Sequence, residues 1–278
     1  MNGGIKLKKI DAHVHACGIL VNITGAMEYM EQNQLSKIVL SAGEPNSKKN
    51  YKMPYLAKIF KSSNLTYCIN KFIAFITKIK KTYKYIDQGN EKVALMAEEL
   101  PDYILNTYWI NPLDANSVDK MEKFYKKHTF CMIKMHQCWT NFDIKDKITI
   151  DIINWAKKND IPIFLHLKSK SQIIKFKEIL RDYPEVIFIL GHLIGIEEFK
   201  KGNGENLYFD ISCAPLHSVN MLKKAYDNFG ASRIILGSDA PYGKDNISLA
   251  ISQMQEVGMS EIEMERVCYA NIKEILKF

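Results

Sequence analysis

The feature that most constrains this chain is a rhythm. Short apolar runs of strand length alternate with longer stretches of helical periodicity, and the runs start near residues 7, 37, 103, 130, 162, 186, 207 and 233. Such alternation predicts βα units and a parallel sheet. Eight units predict an α/β fold of one kind, a closed (β/α)8 TIM barrel, whose active sites lie at the C-terminal ends of the strands. An open doubly wound sheet is the competing architecture, and it would hold the first and last strands apart. At 278 residues the chain reads as a single domain spanning 1–278, a common size for one α/β barrel.

The rhythm breaks once. Residues 46–90, after the second run, are rich in Lys, Tyr and Phe, and Asn70–Ile76 has a helical pattern. This stretch is expected to be a helical insertion beside the barrel mouth, acting as a lid or an oligomer contact. Its apolar residues Phe72, Ile73, Phe75, Ile76 and Ile79 need a surface to bury against.

The chemistry gathers at the ends of the runs. Asp11-Ala12-His13-Val14-His15 closes the first, and alternation along a strand points His13 and His15 the same way. Lys134 and His136 end the fourth run, His166 the fifth, His192 the sixth, and Asp239 follows the eighth. Two imidazoles side by side can grip one metal ion. Phe130, Met132, Lys134 and His136 share one face of their strand, so a barrel would bury Lys134 beside these groups. A single His at a strand end is more often a hydrogen-bonded structural group than a ligand; it is the joint pattern that points to a site. His136, Trp139, His217 and Tyr242 stand in or beside loops at the same end and are candidates for substrate contact. His128, in a Lys-rich turn, reads as surface.

Net charge is +7, carried almost wholly by Lys, with Arg only at 181, 233 and 266. The lysines are dispersed along the chain, which argues against a phosphate-backbone binder and leaves only a mild attraction for acidic ligands. The expected partner is a small-molecule substrate, with no nucleic acid and no membrane; a homo-oligomer is compatible with the pattern. The six cysteines form no C-x-x-C pair. No signal-peptide pattern opens the chain, and no apolar run reaches membrane-span length. A cytoplasmic protein with reduced thiols is the expectation.

Taken together, Asp11–His15, Ile133-Lys134-Met135-His136, Leu165-His166, Leu190-Gly191-His192, Gly237–Gly243 and the closing Asn271–Leu276 resemble the amidohydrolase superfamily. The resemblance extends over nearly the whole chain outside residues 46–90. It is strongest to the metal-dependent hydrolase and decarboxylase branch that includes aminocarboxymuconate-semialdehyde decarboxylase. It implies a divalent metal held by His13, His15, His166 and Asp239, with Zn²⁺ first and Mn²⁺ or Fe²⁺ as alternatives. It implies catalytic roles for Asp239, His192 and Lys134. One ion per chain is the expectation, with Lys134 cationic and holding a substrate carboxylate or Asp239; a carboxylated Lys134 would bridge two, with His192 as a ligand. The implied reaction is hydrolysis of an amide, ester or lactone in a small molecule. Non-oxidative decarboxylation of a small unsaturated or aromatic acid is the alternative, and a barrel that only binds a ligand is the alternative outside enzymes.

Overall fold

The computed structural model describes residues 7–44, 47, 54–56, 61–243 and 245–278. Eight strands form one parallel sheet: β1 (Ile10–His15), β2 (Lys37–Ser41), β3 (Ile104–Trp109), β4 (Met132–His136), β5 (Ile163–His166), β6 (Phe188–Leu190), β7 (Leu207–Asp210) and β8 (Ile234–Ile235). Their spatial order is their sequence order. The segment after β8 returns to β1 through Asp239 N–H to His13 O at 2.7 Å and His15 N–H to Ala240 O at 2.8 Å. Below them Ala12 N–H meets Leu236 O at 2.9 Å. The first and last strands are therefore neighbours, as a (β/α)8 barrel requires and an open sheet forbids.

Two apolar layers hold the barrel. Outside, Ile133, Met135 and Leu165 of the strands pack against Ile152, Ile153 and Phe176 of the surrounding helices. Inside, Val39, Met132, Phe164 and Ile189 form an apolar floor. Because the strand period is two, the residues above that floor on β4 and β5 are Lys134, His136 and His166. The carboxyl end of the barrel is consequently polar while its base is dry.

Ten helices accompany the strands among the described residues: α1 (Ile23–Asn33), α2 (Asn64–Lys80), α3 (Ile86–Glu99), α4 (Ser117–Lys127), α5 (Lys147–Asn159), α6 (Lys170–Asp182), α7 (Val219–Phe229), α8 (Asn246–Glu256), α9 (Glu261–Glu265) and α10 (Asn271–Leu276). The side chain of Asn22 caps α1 by accepting from Gly25 N–H at 2.9 Å. Helix α3 starts at Ile86, within the inserted stretch. A π-helical turn, Arg266–Ala270, joins α9 to α10 in what reads as one helix. His128 is not on the surface as its Lys-rich turn suggests: it is buried and paired with Glu98 and Glu91. No helix among the described residues is long and apolar enough to cross a membrane.

Helix α2 reverses the expected packing. Residues 46, 48–53 and 57–60 of the insertion lie outside the described residues, but α2 is clear. Its buried side chains are Thr66, Asn70 and Thr77, while Phe72, Phe75 and Ile79 are 65%, 63% and 64% exposed. Ile73 and Ile76 are half-buried, so only part of the apolar stripe finds cover. The reason lies in what the helix covers. The barrel mouth offers carbonyl and imidazole groups, and only polar side chains can satisfy those. Asn70 donates to Leu167 O at 3.3 Å, and Thr77 Oγ1 donates to Cys138 O. Just before the helix, Ser63 N–H and Oγ–H reach the Glu197 carboxylate at 2.8 and 2.7 Å.

Candidate metal centre

The site is built from strand ends. His13 and His15 of β1 and Asp239 beyond β8 meet at the mouth: Asp239 Oδ1 lies 3.3 Å from the Nε2 of both imidazoles. Lys134 of β4 reaches the same point, with Nζ 2.6 Å from His13 Nε2 and 3.0 Å from His15 Nε2. Phe164 lies beneath, its ring 4.4 Å from that of His13. His192 stands beside His13, and its Nε2 is 3.1 Å from His166 Nδ1. The ring of His136 stacks on that of His166 at 3.9 Å.

The outward nitrogen of each imidazole identifies the inward one. His15 Nδ1 meets Ala42 O at 2.6 Å and His192 Nδ1 meets Ser212 O at 3.2 Å. A carbonyl can only accept, so both Nδ1 atoms carry the proton and both Nε2 atoms present a lone pair. His13 Nδ1 lies 2.8 Å from Ser212 Oγ and 3.2 Å from the Asp210 carboxylate, which assigns it the same tautomer. His166 is reversed: Nε2 donates to Asn70 Oδ1 at 3.0 Å, leaving Nδ1 as the lone pair. Four imidazole lone pairs and one carboxylate thus face inward, and every outward N–H is held by a protein acceptor. That is the donor chemistry of a divalent-cation site, including the acceptors that fix ring orientation.

Burial sets the electrostatics. Desolvation drives the pKa values of His13, His15, His136 and His166 down, reinforced by neighbouring positive charge. Neutral rings are the form that binds a metal. Burial also pulls Lys134 down to about 7, against the opposing charges of Asp239 and Asp210. For Asp239, burial pushes upward, but the neighbouring His15, His192 and Lys134 outweigh it and hold the carboxyl below its ordinary value. For Asp210, burial outweighs the hydrogen bonds from Ser212 and His192 and raises the carboxyl to about 7.

The structure brings together His13, His15 and Asp239, whose ligand atoms all lie within 4.8 Å of one another. Lys134 sits among them, bonded to the two imidazoles rather than to Asp239. His166 and His192 form an adjoining pair. The cluster His136, Cys138 and His166 is also compact, but its two imidazoles are stacked with planes only 10° apart. Parallel stacked rings cannot both aim an in-plane lone pair at one ion. Tyr242 meets His15 edge-on at 5.5 Å, and its hydroxyl lies 3.8 Å from Cys17 Sγ. Trp139 packs on Trp109 at 4.6 Å, and Trp109 lies 5.5 Å from His15. His217 is apart: it is fully buried and donates Nε2–H to Ile211 O at 2.8 Å.

Sequence reading did not single out the groups that support these side chains. Asp11 accepts from Tyr29 O–H at 2.6 Å and Ser238 N–H at 2.9 Å, locking the segment before Asp239 to β1. Asp210 and Ser212 orient His13 and His192, and Asn70 orients His166. His192, Cys213 and Asp239 all adopt positive φ, 59°, 52° and 63°. Left-handed backbone at non-glycine residues costs of order 1 kcal/mol or more and clusters where function demands it. At Gly237 a Cβ would lie 2.4 Å from Asp210 Oδ1 and 2.8 Å from His13 Cβ, so only glycine lets the eighth strand approach the first.

The barrel, the strand-end cluster and the sequence agree on one class. Residues 69–278 match the model of the amidohydrolase family, and the chain belongs to that family. The same fold recurs in 5-carboxyvanillate decarboxylase from Sphingomonas paucimobilis, at 10% identity and a TM-score of 0.67, over 98% of this chain and 100% of that one. A dihydroxybenzoic acid decarboxylase from Polaromonas, solved with manganese and the inhibitor 2-nitroresorcinol, aligns at 14% identity and a TM-score of 0.63 over 97% of each chain. A protein assigned as a 2-pyrone-4,6-dicarboxylic acid hydrolase, from Acinetobacter baumannii, aligns at 12% and 0.64 over 98% of this chain and 100% of its own. At such identities the likeness is one of fold. No curated protein matches the chain.

Proposed function

We propose that this protein is a metal-dependent enzyme that removes CO₂ from a small aromatic or unsaturated acid without oxidation. The observation that carries the reading is the convergence of His13, His15 and Asp239 around Lys134 under aromatic walls. His13 Nε2, His15 Nε2 and Asp239 would hold one divalent ion, with the His166–His192 pair adjoining it. A bound divalent ion would polarise a substrate oxygen as a Lewis acid. Lys134 supplies positive charge for a substrate carboxylate, which a buried ammonium binds more strongly than a solvated one. Trp109 and Tyr242 offer flat faces for a planar acid. Loss of CO₂ replaces a carboxylate on carbon with a hydrogen, so a proton must reach that carbon; Lys134 and the His166–His192 pair are the groups placed to hold one. Helix α2 covers the mouth and keeps bulk water from the exchange. The decarboxylases that share the fold support this choice over hydrolysis.

Hydrolysis of a lactone, ester or amide is the second reading. It is favoured by the depressed pKa of Asp239, which keeps an ionised base at the cluster, and by the pyrone-dicarboxylic acid hydrolase of the same fold. Protein purified without chelator should contain close to one divalent metal per chain by elemental analysis. It should release CO₂ from at least one member of a panel of hydroxybenzoates and unsaturated diacids. Turnover of lactones or esters alone would select hydrolysis; absence of metal together with full ligand-site variants of unchanged activity would overturn both.

A further inference from the structure

Beside the metal cluster, on the far side of the Trp109–Trp139 pair, lies a cleft of about 960 Å³. Its walls are the C-terminal half of α2 with the turn that follows, the loop after β3, and the loop after β4. Cys138 and Trp139 line it where it meets the barrel mouth. Three of its lysines come from one stretch at a spacing of three: Lys78 in the last turn of α2, Lys81 in the left-handed residue that ends the helix, and Lys84 in the 3₁₀ turn Thr82–Tyr85. Residues three apart lie on one side of a 3₁₀ turn and of a helix end, which is why all three border the same space.

The charge there is not compensated. Asp87 and Asp114 also line the cleft, but both are paired with its fourth lysine, Lys120, at 3.2 and 2.7 Å. Lys78, Lys81 and Lys84 have no carboxylate partner among the described residues. No acidic residue occurs between Asn64 and Ile86. Some surface lysines elsewhere are paired, such as Lys126 with Glu122 and Lys223 with Asp227; what sets these three apart is that they border one concavity. Three unpaired ammonium groups around one concavity repel each other, and an anion relieves that repulsion. Trp139 and Tyr83 add flat apolar faces, and Asn111 and Asn141 add amides.

We infer that this cleft binds a small polyanion, a molecule with two or more carboxylate or phosphate groups, between Lys78, Lys81 and Lys84. The inference stands on the cleft and is independent of the reaction proposed above. The polyanion is the distal end of the substrate or a separate effector, and the shared chemistry is the same.

The test is calorimetric titration of citrate and of inorganic pyrophosphate into metal-stripped protein, so that the metal centre does not enter the result. Binding should be measurable at low salt and weaken steeply between about 0.01 M and about 1 M salt, as screening shortens from about 30 Å to about 3 Å. The variant Lys78→Ala/Lys81→Ala/Lys84→Ala should lose at least about tenfold in affinity, the loss of about 1.4 kcal/mol that two or three exposed charge contacts sum to. Lys223→Ala, on α7, should bind as wild type. Quenching of Trp139 fluorescence on binding, absent in Trp139→Phe, places the anion in this cleft. With an acid that the enzyme turns over, competitive inhibition by citrate marks a substrate subsite and a purely kcat effect marks an effector. No binding by the folded wild type, or equal binding by wild type and the triple variant, overturns the inference and leaves three solvated lysines.

Discussion

Asn70 ties the covering helix to the site, and its removal separates the stability of the cover from that of the barrel. Asn70 is 1% exposed. It donates to Leu167 O at 3.3 Å and accepts from His166 Nε2 at 3.0 Å. In Asn70→Leu the volume is nearly kept, but two buried polar groups lose their partner. An unsatisfied buried group costs about 1–3 kcal/mol. The 3.3 Å contact belongs at the low end of that range, so the pair sums to about 2–4 kcal/mol. Both lost bonds join α2 to the barrel mouth, so the cost appears first in the docking equilibrium of α2. At about 1.36 kcal/mol per decade, the local opening equilibrium of α2 should rise about 30- to 1,000-fold. Native-state hydrogen exchange on peptides covering residues 64–80 measures this directly. The urea midpoint should fall too, by no more than this cost, whereas Phe72→Ala, on the exposed face, should leave α2 exchange unchanged. Exchange of α2 in Asn70→Leu within about threefold of wild type would refute the assignment of Asn70 as the tie.

The remaining expectations concern the centre and its frame. Asp239→Asn keeps an oxygen for a metal but removes a carboxylate that can take a proton; metal content by elemental analysis should fall modestly while kcat drops about a hundredfold or more. Lys134→Met should leave one ion per chain, whereas a fall from two ions to one would show that Lys134 bridges a pair. Gly237→Ala forces a methyl against Asp210 and His13 and should lower stability by about 1–3 kcal/mol in urea titration. Burial holds the pKa of His217 down at about 4 from 6.5. Below pH 6.5 the unfolded chain binds a proton that the folded chain refuses, so this contribution is complete above about 6.5 and about 3 kcal/mol is lost as pH falls to about 4. His217→Gln, which still donates to Ile211 O, should show a correspondingly flatter acid limb.

The barrel was legible because strands buried on both faces are written as continuous apolar runs. Ile38-Val39-Leu40 and Ile163-Phe164-Leu165 leave little room for another reading. The residues His13, His15, Lys134, His166, His192 and Asp239 were legible for the same reason: once a run is placed, the residues at and just beyond its end are placed. Asp210 carried that signal too, directly after Leu207–Phe209, but its work is to hold His13 and His192 rather than to face a ligand. Asn70 carried none. Within Cys68-Ile69-Asn70-Lys71-Phe72 it is one polar residue in an apolar helix, and periodicity assigns it to the solvent side. The assumption that fails is that a helix buries its apolar stripe. It holds only when the surface beneath is apolar, and here that surface is the mouth of a polar site.

Lys134 shows how far spacing goes and where closure takes over. The period of β4 puts it on the inner face, and nothing in the sequence says what it meets there. In the closed barrel it stands between two imidazole lone pairs, each fixed inward because the opposite nitrogen donates to Ala42 O or to Ser212 and Asp210. Lone pairs so converged require a cation. An ammonium meets that need at 2.6 and 3.0 Å, and a divalent ion meets the same need with greater charge. The two compete for one place, so a metal held by His13 and His15 must displace the Lys134 ammonium from their lone pairs. Burial has already lowered the pKa of that ammonium to about 7, which makes its displacement or its transfer to an incoming carboxylate inexpensive. A lysine positioned in this way is both a cation for the converging lone pairs and a counter-charge for an acidic substrate, and both properties follow from the same two hydrogen bonds.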